Sequence, residues 1–196
     1  MNLEQIWDIS EKTFFIQQNK KEWMYILKIL EKLQKEKGHL DILEIGAYDG
    51  GSTFCLANFA KSLVTIDDNI KCRFGGGIEN SERSLNIIKE ICKNYTYIGA
   101  NSHDETTFNS VKELNLDVLY IDGDHSYEGA KQDFKVYKEL MKEGGVIILH
   151  DIKKTPLHIQ LGCRVDILWE EIKEQYPNTD EIMEEKNCFG IGIIYL

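Results

Sequence analysis

Apolar and polar positions along the chain follow two rhythms. From residue 3 to 37 the period is helical: Trp23, Ile26, Leu27, Leu30 and Leu33 recur at three- and four-residue steps, Asn19 with Glu22 has the form of a capping pair, and Gly38 stops the run. Beyond Gly38, short apolar runs alternate with longer amphipathic ones. The runs 41–45, 62–66, 95–98, 117–121, 145–149 and 188–195 read as strands, and 52–60, 80–93, 104–113, 126–141 and 164–175 read as helices. Strand and helix in alternation imply βαβ units. The expected fold is therefore α/β: a Rossmann-like, doubly wound, mostly parallel sheet of about seven strands with helices on both faces. Near the end, "DEIMEE" (180–185) and "CFGIGIIYL" are strand-like pieces joined by a tight connection around Lys186 and Asn187. They predict an antiparallel C-terminal hairpin strand at the sheet edge. One long loop, 67–80, holds three successive glycines, a length and composition that mark a lid or a disordered segment.

Composition narrows the function classes. The 196 residues suit one domain, expected as an N-terminal helical extension over 1–38 on a cofactor-binding core over 40–196. A net charge of -10 argues against nucleic acid, whose phosphates are met by clustered Lys and Arg. Five scattered cysteines with no C-x-x-C pair read as free thiols of a reducing cytoplasm. The first residues lack a basic region followed by an apolar one, and no stretch approaches the roughly 18 apolar residues of a membrane span. No membrane association is expected.

"DILEIGAYDGGST", 41–53, carries the first chemistry: an apolar strand ending at Glu44 runs into Gly46, Ala47, Tyr48 and Gly50, then Ser52. In an open parallel sheet this first strand-to-helix turn brings backbone close to a ligand. A dinucleotide fingerprint needs a second glycine where Tyr48 stands, so pyrophosphate is obstructed. What remains is a loop offering N–H groups and a hydroxyl to an anionic group, with Glu44 supplying charge for a cationic one. The second strand ends in "TIDD", which places Asp67 where an acid holds a ribose diol. A zwitterion carried on a nucleoside satisfies all of these. The plainer alternative is that Gly46 and Gly50 only turn the chain and Asp67 caps a helix.

"IDGDHSYE" (121–128) puts Asp122 at the end of a central strand and His125 three residues on, and "GGVIILHD" (144–151) ends the next strand in His150 and Asp151. Asp122, His150 and Asp151 thus read as ligands for a divalent ion, magnesium or another, and His125 with Asp122 as the catalytic pair, since imidazole transfers protons near neutral pH. Helix-capping acids and a backbone-bonded histidine are the alternative for the same residues. Trp7, Trp23 and Trp169 read as core anchors, His39 as exposed, and Cys163 as an inert thiol in a loop over the site.

Five stretches, "LEIGAYDGGST", "LVTIDDN", "YIGANSHD", "YIDGDHSYEGAKQDF" and "LMKEGGVIILHD", together resemble the class I S-adenosylmethionine-dependent methyltransferases. The resemblance is closest to the catechol-O-methyltransferase-like and cephalosporin-hydroxylase-like groups and runs from about residue 40 to 175. It implies that Glu44, Gly46 and Ser52 hold the methionine part of S-adenosylmethionine, Asp67 the ribose, and Asn101 with Ser102 the adenine edge. Asp122 would face the cofactor as well. It implies magnesium on oxygen ligands at the strand ends, from which His150 departs as a softer donor. It also implies that the 1–38 extension covers the substrate or builds a homodimer. The expected activity is methyl transfer to an oxygen of a small-molecule acceptor. The alternatives are a metal-independent N- or O-methyltransferase, a nicotinamide-dependent oxidoreductase, and a non-catalytic nucleoside-binding module.

Overall fold

A computed structural model describes residues 1–14, 16, 18–68, 86–183 and 189–196. Two helices, α1 (Leu3–Phe14) and α2 (Lys20–Lys37), precede the sheet. There follow β1 (Leu40–Ile45), α3 (Gly51–Ala57), β2 (Ala60–Ile66), α4 (described over 86–91), β3 (Asn94–Ile98) and α5 (Glu105–Val111). The rest is β4 (Leu116–Ile121), α6 (Tyr127–Tyr137), β5 (Met141–His150), α7 (Pro156–Leu161), α8 (Val165–Gln175), β6 (Thr179–Ile182) and β7 (Ile191–Tyr195). The seven strands lie in the order β3-β2-β1-β4-β5-β7-β6. Only the pairings of β7, with β5 and with β6, are antiparallel.

The helical run at the start divides in two because Asn19 and Glu22 form a reciprocal capping box at the start of α2. Gly38 ends α2 with φ 85°, a conformation open to glycine. Several expected bounds shift: the helix expected over 52–60 ends at Ala57, and β2 starts at Ala60 rather than at 62. The helix expected to 141 ends at Tyr137 in a 3-10 turn, and β5 already starts at Met141, because Met141 pairs with Leu116. The stretch 153–163, expected as loop, contains α7, which Thr155 caps by accepting from the His158 N–H. The connection expected around Lys186 and Asn187, and residues 69–80 of the glycine-rich loop, lie outside the described residues.

The sheet is covered on both faces, and side chains of the central strands alternate between two cores. Ile42, Val118, Tyr120 and Ile148 pack with α1, α2 and α3, whereas Leu43, Leu119, Ile121 and Ile147 pack with α6 and α8. Trp7 and Trp23 anchor the first core and Trp169 the second, all fully buried, while His39 is exposed. Truncating a leucine such as Leu30 there would cost about 2–5 kcal/mol.

Strand register sets the site. Ile66 pairs with Ile45, Ile45 with Ile121, and Ile121 with Leu149. The residues that follow, Asp67, Gly46, Asp122 and His150, therefore stand level across four neighbouring strand ends.

Candidate active site

A cavity of about 610 Å³ opens over these strand ends. Gly46, Ala47, Tyr48, Ser52, Asp67, Asn101, Ser102, Asp122, His125, His150 and Asp151 all line it. Gly46 has to be glycine: its φ is 86°, and a Cβ there would lie 2.1 Å from the Asp122 carbonyl oxygen. The adjacent ends of β1 and β4 can approach only because that atom is missing. Tyr48 also takes a left-handed backbone, φ 49°.

Four of the loop's amides bond within the protein itself. The Gly46 N–H donates to Ile66 O and that of Gly50 to Ala47 O, while those of Ala47 and Tyr48 donate to Asp67 Oδ2 at 2.6 and 2.8 Å. Asp67 is thus no helix cap: its carboxylate holds the glycine turn, and the residue lines the cavity. Gly50 is the N-cap of α3 with a left-handed backbone, and Ser52, largely buried, lines the cavity.

Glu44 lies one layer below. It is fully buried, and one carboxylate oxygen accepts from Thr53 and Thr65 hydroxyls at 2.6 and 2.8 Å. The other oxygen makes no hydrogen bond among the described residues. Burial pushes its pKa up to about 7, against the nearby Ser52 side chain and the hydrogen bonds from Thr53 and Thr65, which pull it down. At the opposite end, the backbone carbonyl of Ser102 accepts from Tyr137 OH at 2.7 Å, and His103 stands 3.3 Å from buried Asp133. These contacts fix the 101–103 turn on α6.

Beyond the cofactor-sized part of the cavity, two carboxylates meet three imidazoles. Asp151 follows β5 with φ 64°, a left-handed backbone uncommon for a residue with a Cβ, and this turns its carboxylate back toward Asp122. His125 lies between them, Nε2 3.2 Å from Asp122 Oδ1 and Nδ1 2.9 Å from Asp151 Oδ2. His150 Nδ1 is 3.2 Å from Asp122 Oδ1 and 3.0 Å from Asp151 Oδ1. Burial alone would lower both histidines. The carboxylates outweigh it and raise His125 to about 11 and His150 to about 10, while both aspartates are held below the ordinary carboxylate range despite burial.

The donor set fits a divalent cation. Among the described residues neither ring nitrogen of buried His150 has a hydrogen-bond partner, although Nδ1 is near two carboxylates. Ligand atoms of Asp122, His150 and Asp151 lie within 4.8 Å of one another, as do those of His125, Asp151 and Cys163. The 3.2 and 3.0 Å from His150 Nδ1 to the two carboxylates match the separation of about 2.9–3.4 Å between donors that share an ion bonded at about 2.0–2.1 Å. Imidazole with carboxylate favours zinc, iron or manganese over magnesium.

The sequence reading missed three residues here. His158 Nε2 stands 3.6 Å from Asp151 Oδ1, with Nδ1 held at 2.6 Å by the Lys153 carbonyl. Gln18 and Ile16, from the linker between α1 and α2, reach the cavity wall. Nothing in local sequence pattern marks them, because tertiary packing alone brings them there. Cys163, read as a loop thiol, is buried on the wall just after α7, and burial raises its pKa.

The strand order, the reversed β7, the glycine turn and the acid after β2 define the class I methyltransferase architecture. Residues 43–152 match the methyltransferase-domain family, and the chain belongs to that family. An uncharacterized protein of Acanthamoeba polyphaga mimivirus is 30% identical over 179 residues, covering 83% of this chain and 80% of its own length. Among solved structures, the O-methyltransferase TomG of Streptomyces achromogenes, involved in tomaymycin synthesis and in complex with S-adenosylmethionine, matches with TM-score 0.67 and 16% identity over 99% of this chain and 88% of that one. An O-methyltransferase of Bacillus cereus in complex with S-adenosylhomocysteine gives TM-score 0.64 and 17% identity over 99% and 90%. The N-methyltransferase NodS of Bradyrhizobium japonicum gives 0.60 and 13% over 87% and 92%. The shared fold thus spans oxygen and nitrogen acceptors. No described helix is long and apolar enough to cross a membrane.

Proposed function

We propose that residues 1–196 act as a single methyltransferase domain that moves the methyl of S-adenosylmethionine to a hydroxyl oxygen of a small molecule in a reducing cytoplasm. One observation carries this reading: the glycine turn with Asp67 and the imidazole–carboxylate cluster open into the same cavity, on adjacent strand ends. The cofactor-bound structures of similar fold support the choice of cofactor. In this reading Ser52, backed by Glu44, takes the methionine end, Asp67 the ribose diol, and Asn101 with Ser102 the adenine edge. The reaction is a displacement at a sulfonium methyl: the acceptor oxygen gains the carbon, sulfur leaves as a neutral thioether, and the acceptor's proton must go to a base.

His125 is that base, exposed enough to meet the acceptor and oriented by Asp122 and Asp151. Between two carboxylates its ring is held in the protonated form, so it can serve as a base only after a second cation answers their charge and lets that proton leave. Asp122, His150 and Asp151 would hold such a divalent cation, which when bound supplies that charge and polarises the acceptor hydroxyl. A metal-independent transfer is the second reading, favoured by the placing of His125 itself as a counter-ion to both aspartates.

The acceptor end of the cavity has an imidazole–carboxylate floor, with Ile16, Leu157, Leu161 and Phe189 on its walls. Among the described lining residues there is no Lys or Arg, and Asp49, Asp67, Asp68, Asp122, Asp124 and Asp151 are among them. Such a pocket suits an uncharged or cationic hydroxylated molecule with an apolar body and disfavours phosphate and thioester-nucleotide acceptors. A library of neutral, amine-bearing and carboxylate-bearing phenols and alcohols, assayed by S-adenosylhomocysteine release with chelator and then with restored manganese, zinc or magnesium, tests it. Turnover confined to neutral or amine-bearing hydroxyls is expected; transfer to nitrogen alone would overturn the oxygen assignment.

A further inference from the structure

The family match begins at residue 43, yet the linker ahead of α2 reaches the centre of the site. Gln18 Nε2 donates to Asp122 Oδ2 at 2.6 Å, and Tyr120 OH donates to the same oxygen at 3.2 Å. The opposite oxygen, Oδ1, is the one that faces His125 and His150. The two oxygens of Asp122 are thus sorted: one takes uncharged donors from below, the other meets the imidazoles.

The sorting depends on how the Gln18 amide is turned, and the fold fixes that too. Trp23 Nε1–H donates to Gln18 Oε1 at 3.3 Å, which leaves the amide's NH₂ end to point at Asp122. Trp23 is itself immobile, fully buried and packed on the Tyr120 ring at 5.5 Å between centroids. One turn of α2 is clamped alongside, because Glu22, also fully buried, accepts from the Gly190 N–H at 2.7 Å at the start of β7. Glu22 Oε2 then stands 4.0 Å from His150 Nε2, on the far side of that ring from the aspartates.

We propose that Gln18 is a positioning residue of the reaction centre: through Asp122 Oδ2 it decides which carboxylate oxygen is turned to His125 and His150, so that the N-terminal helices are a working part of the site. The inference rests on the methyltransferase reading. It goes beyond it by assigning a role to a residue outside the matched region. Without the Gln18 amide, Asp122 can rotate and share both oxygens, and the imidazoles lose a fixed partner. Partners of this kind around catalytic or metal-holding groups are worth about 10–100-fold in activity or metal affinity when removed.

The test needs no acceptor. Full-length protein with ¹⁵N-labelled histidine is saturated with S-adenosylhomocysteine, and long-range proton–nitrogen correlation spectra report the ring state of each imidazole. Three variants are compared with the wild type: Gln18→Met, which keeps the length and removes both hydrogen bonds; Gln18→Glu, which sets a carboxylate against Asp122; and Ser10→Ala. Ser10 is the control, since its hydroxyl ties α1 to the Gly51 carbonyl at 2.8 Å without touching Asp122. Both Gln18 variants should move the His125 and His150 ring signals, Gln18→Glu further, while S-adenosylhomocysteine affinity by calorimetry changes by less than about threefold. Ser10→Ala should lower the melting temperature and leave those signals in place. Unmoved His125 and His150 signals in Gln18→Met, or equal movement in Ser10→Ala, would overturn the positioning role. Failure of the wild type to bind S-adenosylhomocysteine would instead overturn the methyltransferase reading beneath it.

Discussion

Glu44→Gln isolates a buried charge placed directly beneath the proposed cofactor site. The Glu44 pKa stands at about 7 in the folded protein against an ordinary 4.5, chiefly because burial disfavours the charged form. At about 1.36 kcal/mol per pH unit, keeping Glu44 ionised above neutral pH costs the fold roughly 3 kcal/mol. The sign follows from proton counting. Between 4.5 and about 7 the folded state binds more protons at this site than the unfolded chain does, so stability falls as pH rises through that window. Below 4.5 both states are protonated and the cost is absent; above about 7 it is complete.

Glutamine preserves the shape and an acceptor for Thr53 and Thr65 but cannot ionise. Its NH₂ takes the place of the oxygen that lacks a partner, at a pH-independent cost of about 1–3 kcal/mol. The absolute stability of the variant is therefore a poor readout, whereas the pH dependence of the difference is a clean one. Urea unfolding of both proteins across about pH 5 to 8 should show the gap moving in the variant's favour by about 2–3 kcal/mol. Added S-adenosylhomocysteine extends the test to function, because an ammonium near Glu44 offsets the cost of its charge. Ligand stabilisation of the wild type should then grow with pH, and that of the variant should not. A gap that stays constant across the pH range would refute the buried-charge argument.

Gly46→Ala should abolish S-adenosylhomocysteine binding and lower the melting temperature sharply, since its Cβ would lie 2.1 Å from the Asp122 carbonyl and a left-handed backbone costs a non-glycine residue about 1–2 kcal/mol more. Asp67→Ala should weaken cofactor affinity, read by calorimetry, and also destabilise the fold by about 1–3 kcal/mol in urea, because the Ala47 and Tyr48 N–H groups lose their acceptor; intact stability would mean that the turn holds itself. His125→Ala should cut turnover of an identified acceptor by about 10²–10⁴-fold with cofactor affinity unchanged. Asp151→Ala should remove any dependence on added metal together with most activity, and full wild-type activity in chelator would reject the cation and leave the metal-independent reading.

Local pattern was enough for the scaffold. Alternating apolar runs and amphipathic stretches are properties of neighbouring residues, so the order of strands and helices, the capping box of Asn19 and Glu22, and the reversed final strand were legible in the chain. So was the glycine turn, because a backbone that must pass within 2.1 Å of another where a Cβ would stand admits only glycine. Element ends were less legible: Met141 joins β5 through its pairing with Leu116, a partner 25 residues away that no local window contains. The roles of individual polar groups were decided by tertiary structure alone. Whether the Ala47 and Tyr48 amides face a ligand depends on Asp67 reaching back to them, and whether Glu44 meets a cofactor directly depends on Thr53 and Thr65 lying against it. Gln18 and His158 have no pattern of their own; Gln18 joins the site because the α1–α2 linker packs over a strand end 104 residues further on, and His158 because α7 lies against Asp151. Periodicity reports which side of an element is buried, but the partner of a buried charge is chosen by the packing of elements, and that exists only once the chain has folded.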